Sequence, residues 1–208
     1  MEAIMKRTVL FVLLIGFCAA LAAPSIQAGE SSTQYSAVEH ISTERGDVEA
    51  KVFVAPGMKR MEMHDATQIL RFDKGVLWVL MPKQRMYMER PIASAPGGSG
   101  NLKYLEKKNL GKETVNGIPA TKYRTVAEDP KGSRLEGLSW LTDDGILVKN
   151  DMKVRNGGRS AQVRTEIKDL KVGKQDLSLF EVPQGFRKFA MPSGMPAGMP
   201  GGMKIPDR

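Results

Sequence analysis

Side chains able to do covalent, proton-transfer or metal chemistry are few in these 208 residues. The two histidines lie in Val38-Glu39-His40-Ile41 and Met63-His64-Asp65, and neither stands at a metal-binding helical spacing such as His-Glu-x-x-His. No Gly-x-Ser-x-Gly elbow marks a serine nucleophile. Gly97-Gly98-Ser99-Gly100 lacks the Gly-Lys-Ser/Thr ending of a phosphate loop. Asp143 and Asp144 run into Gly145 and read as turn chemistry rather than an acid pair. The inventory points away from an enzyme and offers no set of ligands for a cofactor.

Methionine is the abundant feature, with 13 in the chain. Met61, Met63, Met86 and Met88 alternate with polar residues on two strand-like segments, close to Met81, Trp78 and Leu80. Such stripes are the ordinary core of a sheet. The same pliable thioethers also suit a cavity tolerant of varied apolar ligands. Near the end, Met191, Met195, Met199 and Met203 recur at every fourth residue, and thioethers are soft ligands for Cu(I). Pro192, Pro196, Pro200 and the interleaved glycines explain the same repeat as low complexity.

The elements that must position these residues follow a period of two from Thr33 to about Lys174, which predicts an antiparallel sheet or barrel. Val48, Ala50, Val52 and Val54 share a face, and Met61 and Met63 alternate with Arg60 and Glu62. Val76 to Met81 is apolar throughout, as in a strand covered on both faces. Turns are expected at Ala55-Pro56-Gly57, Asp73-Lys74-Gly75, Asn116-Gly117, Asp144-Gly145 and Asn156-Gly157-Gly158, giving a meander in the second half. Pro91 to Gly100 reads as a loop. Leu102 and Leu105 around Tyr104 predict a short helix that Gly111 breaks, and Leu177, Leu179 and Phe180 predict a terminal plug.

The N-terminus carries Lys6 and Arg7, then an apolar stretch from Val9 to Ala23, then Ser25-Ile26-Gln27-Ala28 ahead of Gly29. This is the secretory signal pattern, with cleavage expected after Ala28. The apolar run is about 15 residues, short of the roughly 20 that span a bilayer, so no transmembrane anchor is expected. Cys18 lies inside it, and bulky Phe17 stands where lipoprotein processing takes a small residue. The mature chain is then free of cysteine and of disulfides. The organisation is a signal peptide over residues 1–28, one β domain over 29–189, and a Met/Pro/Gly-rich tail over 190–208 expected to be disordered.

The net charge of +8 favours anionic partners such as lipid headgroups. Lys149, Lys153, Arg155, Arg159, Arg164 and Lys168 are scattered among acids rather than gathered beside stacking aromatics, so nucleic acid is not an expected partner.

Pro56-Gly57-Met58-Lys59-Arg60-Met61-Glu62, Phe72-Asp73-Lys74-Gly75, Leu77-Trp78-Val79-Leu80 with Pro82, and Tyr87-Met88-Glu89 come in an order that resembles exported domains related to the LolA/LolB lipoprotein carriers. Gly111 to Gly117, Thr121-Lys122-Tyr123, Trp140 with Asp144-Gly145, and Phe180-x-Val182-Pro183-x-Gly185-Phe186 look like their back half. The resemblance implies a strongly curved antiparallel sheet, an incomplete barrel with short helices and loops over its concave apolar face. It also implies an acyl-binding concavity. Helical segments for a full lid are scarce here, and the tail is not a feature of those domains.

The reading is a periplasmic, non-enzymatic carrier or sensor for a hydrophobic or amphipathic ligand, whether lipid, acyl chain or lipoprotein. Met61, Met63, Trp78, Leu80, Met86, Met88 and Trp140 are the expected lining, with Arg60 a positioning residue or a charge for an anionic headgroup. Two rival readings are a copper-binding protein acting through the tail and an envelope scaffold that binds another protein.

Overall fold

The computed structural model describes residues 33–92, 102–129 and 132–189. The segment expected to be a signal peptide, most of the loop expected at Pro91 to Gly100, and the Met-rich tail lie outside them. Twelve strands form one sheet: β1 (Tyr35–Thr43), β2 (Gly46–Ala55), β3 (Met58–Glu62), β4 (Thr67–Arg71), β5 (Val76–Met81), β6 (Met86–Pro91), β7 (Lys103–Val115), β8 (Ile118–Glu128), β9 (Arg134–Leu141), β10 (Leu147–Asn156), β11 (Arg159–Val172) and β12 (Arg187–Lys188). Their spatial order is β12-β6-β5-β4-β3-β2-β1-β11-β10-β9-β8-β7. Two meanders, β1 to β6 and β7 to β11, are therefore joined along the middle by the antiparallel β1–β11 pair. Only the two-residue β12 is parallel to its neighbour, β6. The β12/β6 and β7 edges do not pair, so the barrel is incomplete.

Local chemistry sets the turns. Asn116 and Gly117 both take positive φ, 51° and 79°, as a two-residue hairpin turn whose twist matches its strands requires. Gly75, at φ 66°, ends the turn between β4 and β5. The segment predicted as a helix around Tyr104 is instead the start of β7, the edge strand that pairs with β8 from Lys103↔Glu128 to Val115↔Ile118. Leu105 and Leu110 are both exposed there, so the segment has no apolar helical stripe to bury. Gly111, at φ 110°, marks a bulge in this strand and not a helix end.

Register assigns the two faces. The inner face carries Ala37, Glu39 and Ile41 of β1, then Ala50, Val52, Met61, Leu70, Leu77 and Val79 through β5, and Val148, Met152, Val163 and Ile167 on the other meander. These belong to one apolar cluster, apart from Glu39. Val148 and Val163 are 0% exposed and Ile41 is 2%. The described helices are single 3-10 turns, Pro82–Gln84 and Leu177–Phe180, and the latter packs on the outer face. Strong curvature of the sheet is what encloses the inner surface.

The outer face differs between the meanders. Over β8 to β11 it is charged: Lys149 meets Glu166 at 3.2 Å, Arg164 meets Asp151 at 3.2 Å, and Arg155 meets Glu136 at 3.9 Å. Over β3 to β5 it is apolar, and Ala55, Ile69, Trp78 and Leu80 lie beneath Phe180, itself 0% exposed. That cover is why the all-apolar β5 is buried on both sides although it stands third from the edge. Phe180 is the plug; Leu177 is 57% exposed and is not part of it.

Candidate functional site

The inner face carries the larger of the two buried apolar clusters, with residues of both meanders packed into it and partly buried side chains at its margin. Met61 is 2% exposed and belongs to its packed floor. Met63 and Met88 are partly buried and pack at its margin with Tyr35, Phe72 and Leu102. Met86 is half-buried and pairs with Met81 at one end of β6. Met152, absent from the expected lining, is a further floor residue at 2% exposure. Its sulfur lies over Gly137, where an added Cβ would come 2.9 Å from Sδ and 2.0 Å from the carbonyl oxygen of Asp151. The close approach of β9 and β10 there depends on glycine.

The expected lining set does not share one surface. Trp78 and Leu80 alternate with Val79 and therefore point outward, under the C-terminal segment. Trp140 pairs with Lys122 and Lys149 in register, yet at 5% exposure it belongs to the same buried cluster as the inner-face residues. The two tryptophans have matching surroundings. Trp78 Nε1 donates to Glu89 at 2.9 Å, with Lys74 and Arg71 cations 5.5 and 6.0 Å from its ring centre. Trp140 Nε1 donates to Glu113 at 2.7 Å, with Lys122 and Lys149 5.2 and 5.4 Å from its ring. Each is an apolar plate under a charged, solvated cover, a structural arrangement of indole with cations. Both glutamates are held below the usual carboxylate range, Glu89 by Lys188 and then Trp78, Glu113 by Lys122 and then Trp140.

Arg60 is also on the outer face, one residue out of step with the methionines. Its Nε donates to Glu62 at 2.8 Å, two residues along the same strand, and its Nη1 donates to the Leu179 carbonyl at 2.9 Å. Here it holds the C-terminal segment. Arg71 does the same more completely, donating to the Phe180 carbonyl at 3.2 Å, to Glu181, and through two nitrogens to Asp73 at 2.8 and 2.6 Å.

The basic residue that does enter the inner face is Lys59. Its Nζ donates to Glu39 at 2.9 Å, and the two side chains are 13% and 10% exposed. Tyr35 lies in the same cross-strand row, separated from Lys59 by Val54. Burial foremost pushes its hydroxyl upward; Lys59 opposes the shift and Glu39 adds to it. The sequence carried a signal for this: Lys59 has the parity of Met61 and Met63.

No group of three or more His, Cys, Asp or Glu side chains among the described residues could hold a metal ion.

No family model and no curated protein matches the chain. Among solved structures, it is similar to an uncharacterized conserved protein from Thermus thermophilus, with 11% identity, 79% of this chain and 95% of that one covered, and a TM-score of 0.51. A chain of the MucA/MucB complex of Pseudomonas aeruginosa matches at 13% identity, over 74% of this chain and 57% of that one, with a TM-score of 0.44. A putative outer membrane lipoprotein-sorting protein domain from Vibrio parahaemolyticus matches at 10% identity, over 73% and 91%, with a TM-score of 0.32. At 11% identity the likeness to the Thermus thermophilus protein is one of fold alone.

Proposed function

We propose that this chain is an exported, periplasmic, non-enzymatic binding protein that carries or senses a hydrophobic or amphipathic ligand on the inner face of its sheet. The observation that supports this reading is one apolar cluster running through both meanders of an unclosed sheet, with Met63, Met88, Phe72 and Leu102 only partly buried at its margin. An unclosed sheet can widen at its seam without breaking a strand pair, and unbranched methionines can repack around whatever enters. No helix of the described residues is long and apolar enough to cross a membrane, and the secretory pattern expected over residues 1–28 supports export.

The test is uptake of an environment-sensitive fatty-acid probe by the mature chain. Saturable, blue-shifted emission is expected, and Met63→Lys is expected to abolish it while the circular dichroism stays that of the parent. A parent protein that takes up no probe overturns the reading.

A further inference from the structure

The Lys59–Glu39 pair is an ion pair in the wrong solvent. Surface pairs elsewhere in the molecule stand in water, whereas this one lies on the apolar inner face. Replacing such a pair by apolar residues is commonly neutral or stabilising, so stability alone gives little reason for it. Its surroundings are built rather than accidental. Lys59 crosses β2 to reach Glu39, on a floor that Ala37 and Ala50 keep low. Opposite Ala37 the register of β11 shifts, Asp169 takes a φ of 51°, and Leu170 packs against the inner cluster. Bulges of this kind re-aim side chains beside functional sites.

We propose that Lys59 is the headgroup subsite of the inner face, receiving the terminal anionic oxygens of an acyl-chain ligand in place of Glu39, with Tyr35 beside it. The proposal rests on the reading above and narrows its ligand to an anionic amphiphile, whether a carboxylate or a phosphate ends the chain. Lys59 is suited to this as a compact point charge on a flexible stem, able to turn its three donors from one carboxylate to another. It stands next to the turn at Gly57, so its stem starts at the end of the barrel and its charge lies inward of that rim. A ligand held there would have its headgroup inward of the rim, beside Glu39 and Tyr35, and its methylenes against the partly buried side chains at the margin of the inner cluster.

The experiment compares 11-(dansylamino)undecanoic acid with its methyl ester, on the mature chain and on the double variant Lys59→Met/Glu39→Gln, which removes both charges and strands neither. The parent is expected to bind the acid about tenfold tighter than the ester, the scale of one charge-assisted hydrogen bond in a dry site. The double variant is expected to lose that preference while holding the ester within about twofold of the parent, since its apolar contacts are untouched. Displacement by dodecanoate and by dodecyl phosphate, at equal chain length, tells the two anionic sources apart. Equal parental affinity for acid and ester overturns the subsite and leaves the broader reading standing; so does a preference that survives in the double variant. Uptake of neither probe overturns both. Should the variant not fold, the parental acid-to-ester ratio still decides.

Discussion

Two apolar patches lie on opposite sides of the same strands, and their covers differ. On the outer face of β3 to β5 the patch is sealed by the chain itself: Phe180 fills it, and Arg60 and Arg71 fasten the segment by its carbonyls. On the inner face curvature encloses the centre, and the margin at Met63, Met88 and Leu102 stays partly open. The buried cations repeat the contrast. Arg71 is saturated by Asp73, Glu181 and the Phe180 carbonyl, with its planar fork committed to structure. Lys59 is a point charge on a flexible stem, paired with Glu39 on the inner face. A patch that its own chain covers explains itself; one left to curvature asks what else touches it.

The largest effect is expected on the sealed side. Phe180→Ala should cost about 3 to 5 kcal/mol in urea unfolding, the range for emptying a buried aromatic site, while leaving fatty-acid probe affinity near that of the parent. A variant that stays stable and loses the probe would reverse the assignment of the two patches. Gly137→Ala should come next, at about 1 to 3 kcal/mol or more, because its Cβ has no room against the Asp151 carbonyl and β9 must part from β10. On the inner face the methionines should divide. Met61→Ala, in the floor, should cost about 2 to 5 kcal/mol, whereas Met63→Ala and Met88→Ala at the margin should cost about 1 kcal/mol, since the loss scales with the void created. The marginal pair should weaken probe binding more than stability. If all three cost the same and the probe is indifferent, the inner face is simply core.

The division between the patches is half legible in the sequence. Alternation places the strands and nearly every hairpin, because a period of two follows directly from one wet and one dry face. It also places Met61 and Met63 together. Applied one step further, the same parity puts Arg60 with Glu62 and makes Lys59 the basic residue beside the methionines. Trp78 and Leu80 group with the methionines in the sequence because β5 is apolar at every position, and a strand without alternation does not say which residues face which way. Only the register with Ile69 and Thr67 settles it. The outer seal is legible as a plug, though its target is not, since contacts between residues 60 and 179 leave no local pattern. For β7, the leucines at 102 and 105 mimic a helical spacing, and pairing with β8 overrides it.

The smallest expected effect concerns the seal and acid. Hydrogen bonds from Arg71 foremost hold the Asp73 carboxyl below the usual range. For Glu181 burial pulls upward most strongly, but hydrogen bonds from Arg71 and Lys74 together outweigh it, and the net shift is again downward. Carboxyls with folded-state pKa values below their unfolded ones contribute stability that is fully present above the ordinary carboxylate range and is lost as pH falls through the lowered values. Fastening of the C-terminal segment should therefore be constant from neutral pH down to the ordinary carboxylate range and loosen only below it. The effect should be modest, because the Asp73 and Glu181 side chains are 42% and 50% exposed and water screens both. Trp78, which lies under this segment, is the reporter, read by fluorescence in a Trp140→Phe background so that the second indole is silent. Arg71→Gln should flatten the acid limb of that curve and lower the plateau, and probe binding on the inner face should follow neither change. A probe affinity that tracks the Trp78 signal through acid would join the two patches into one device and end the distinction between them.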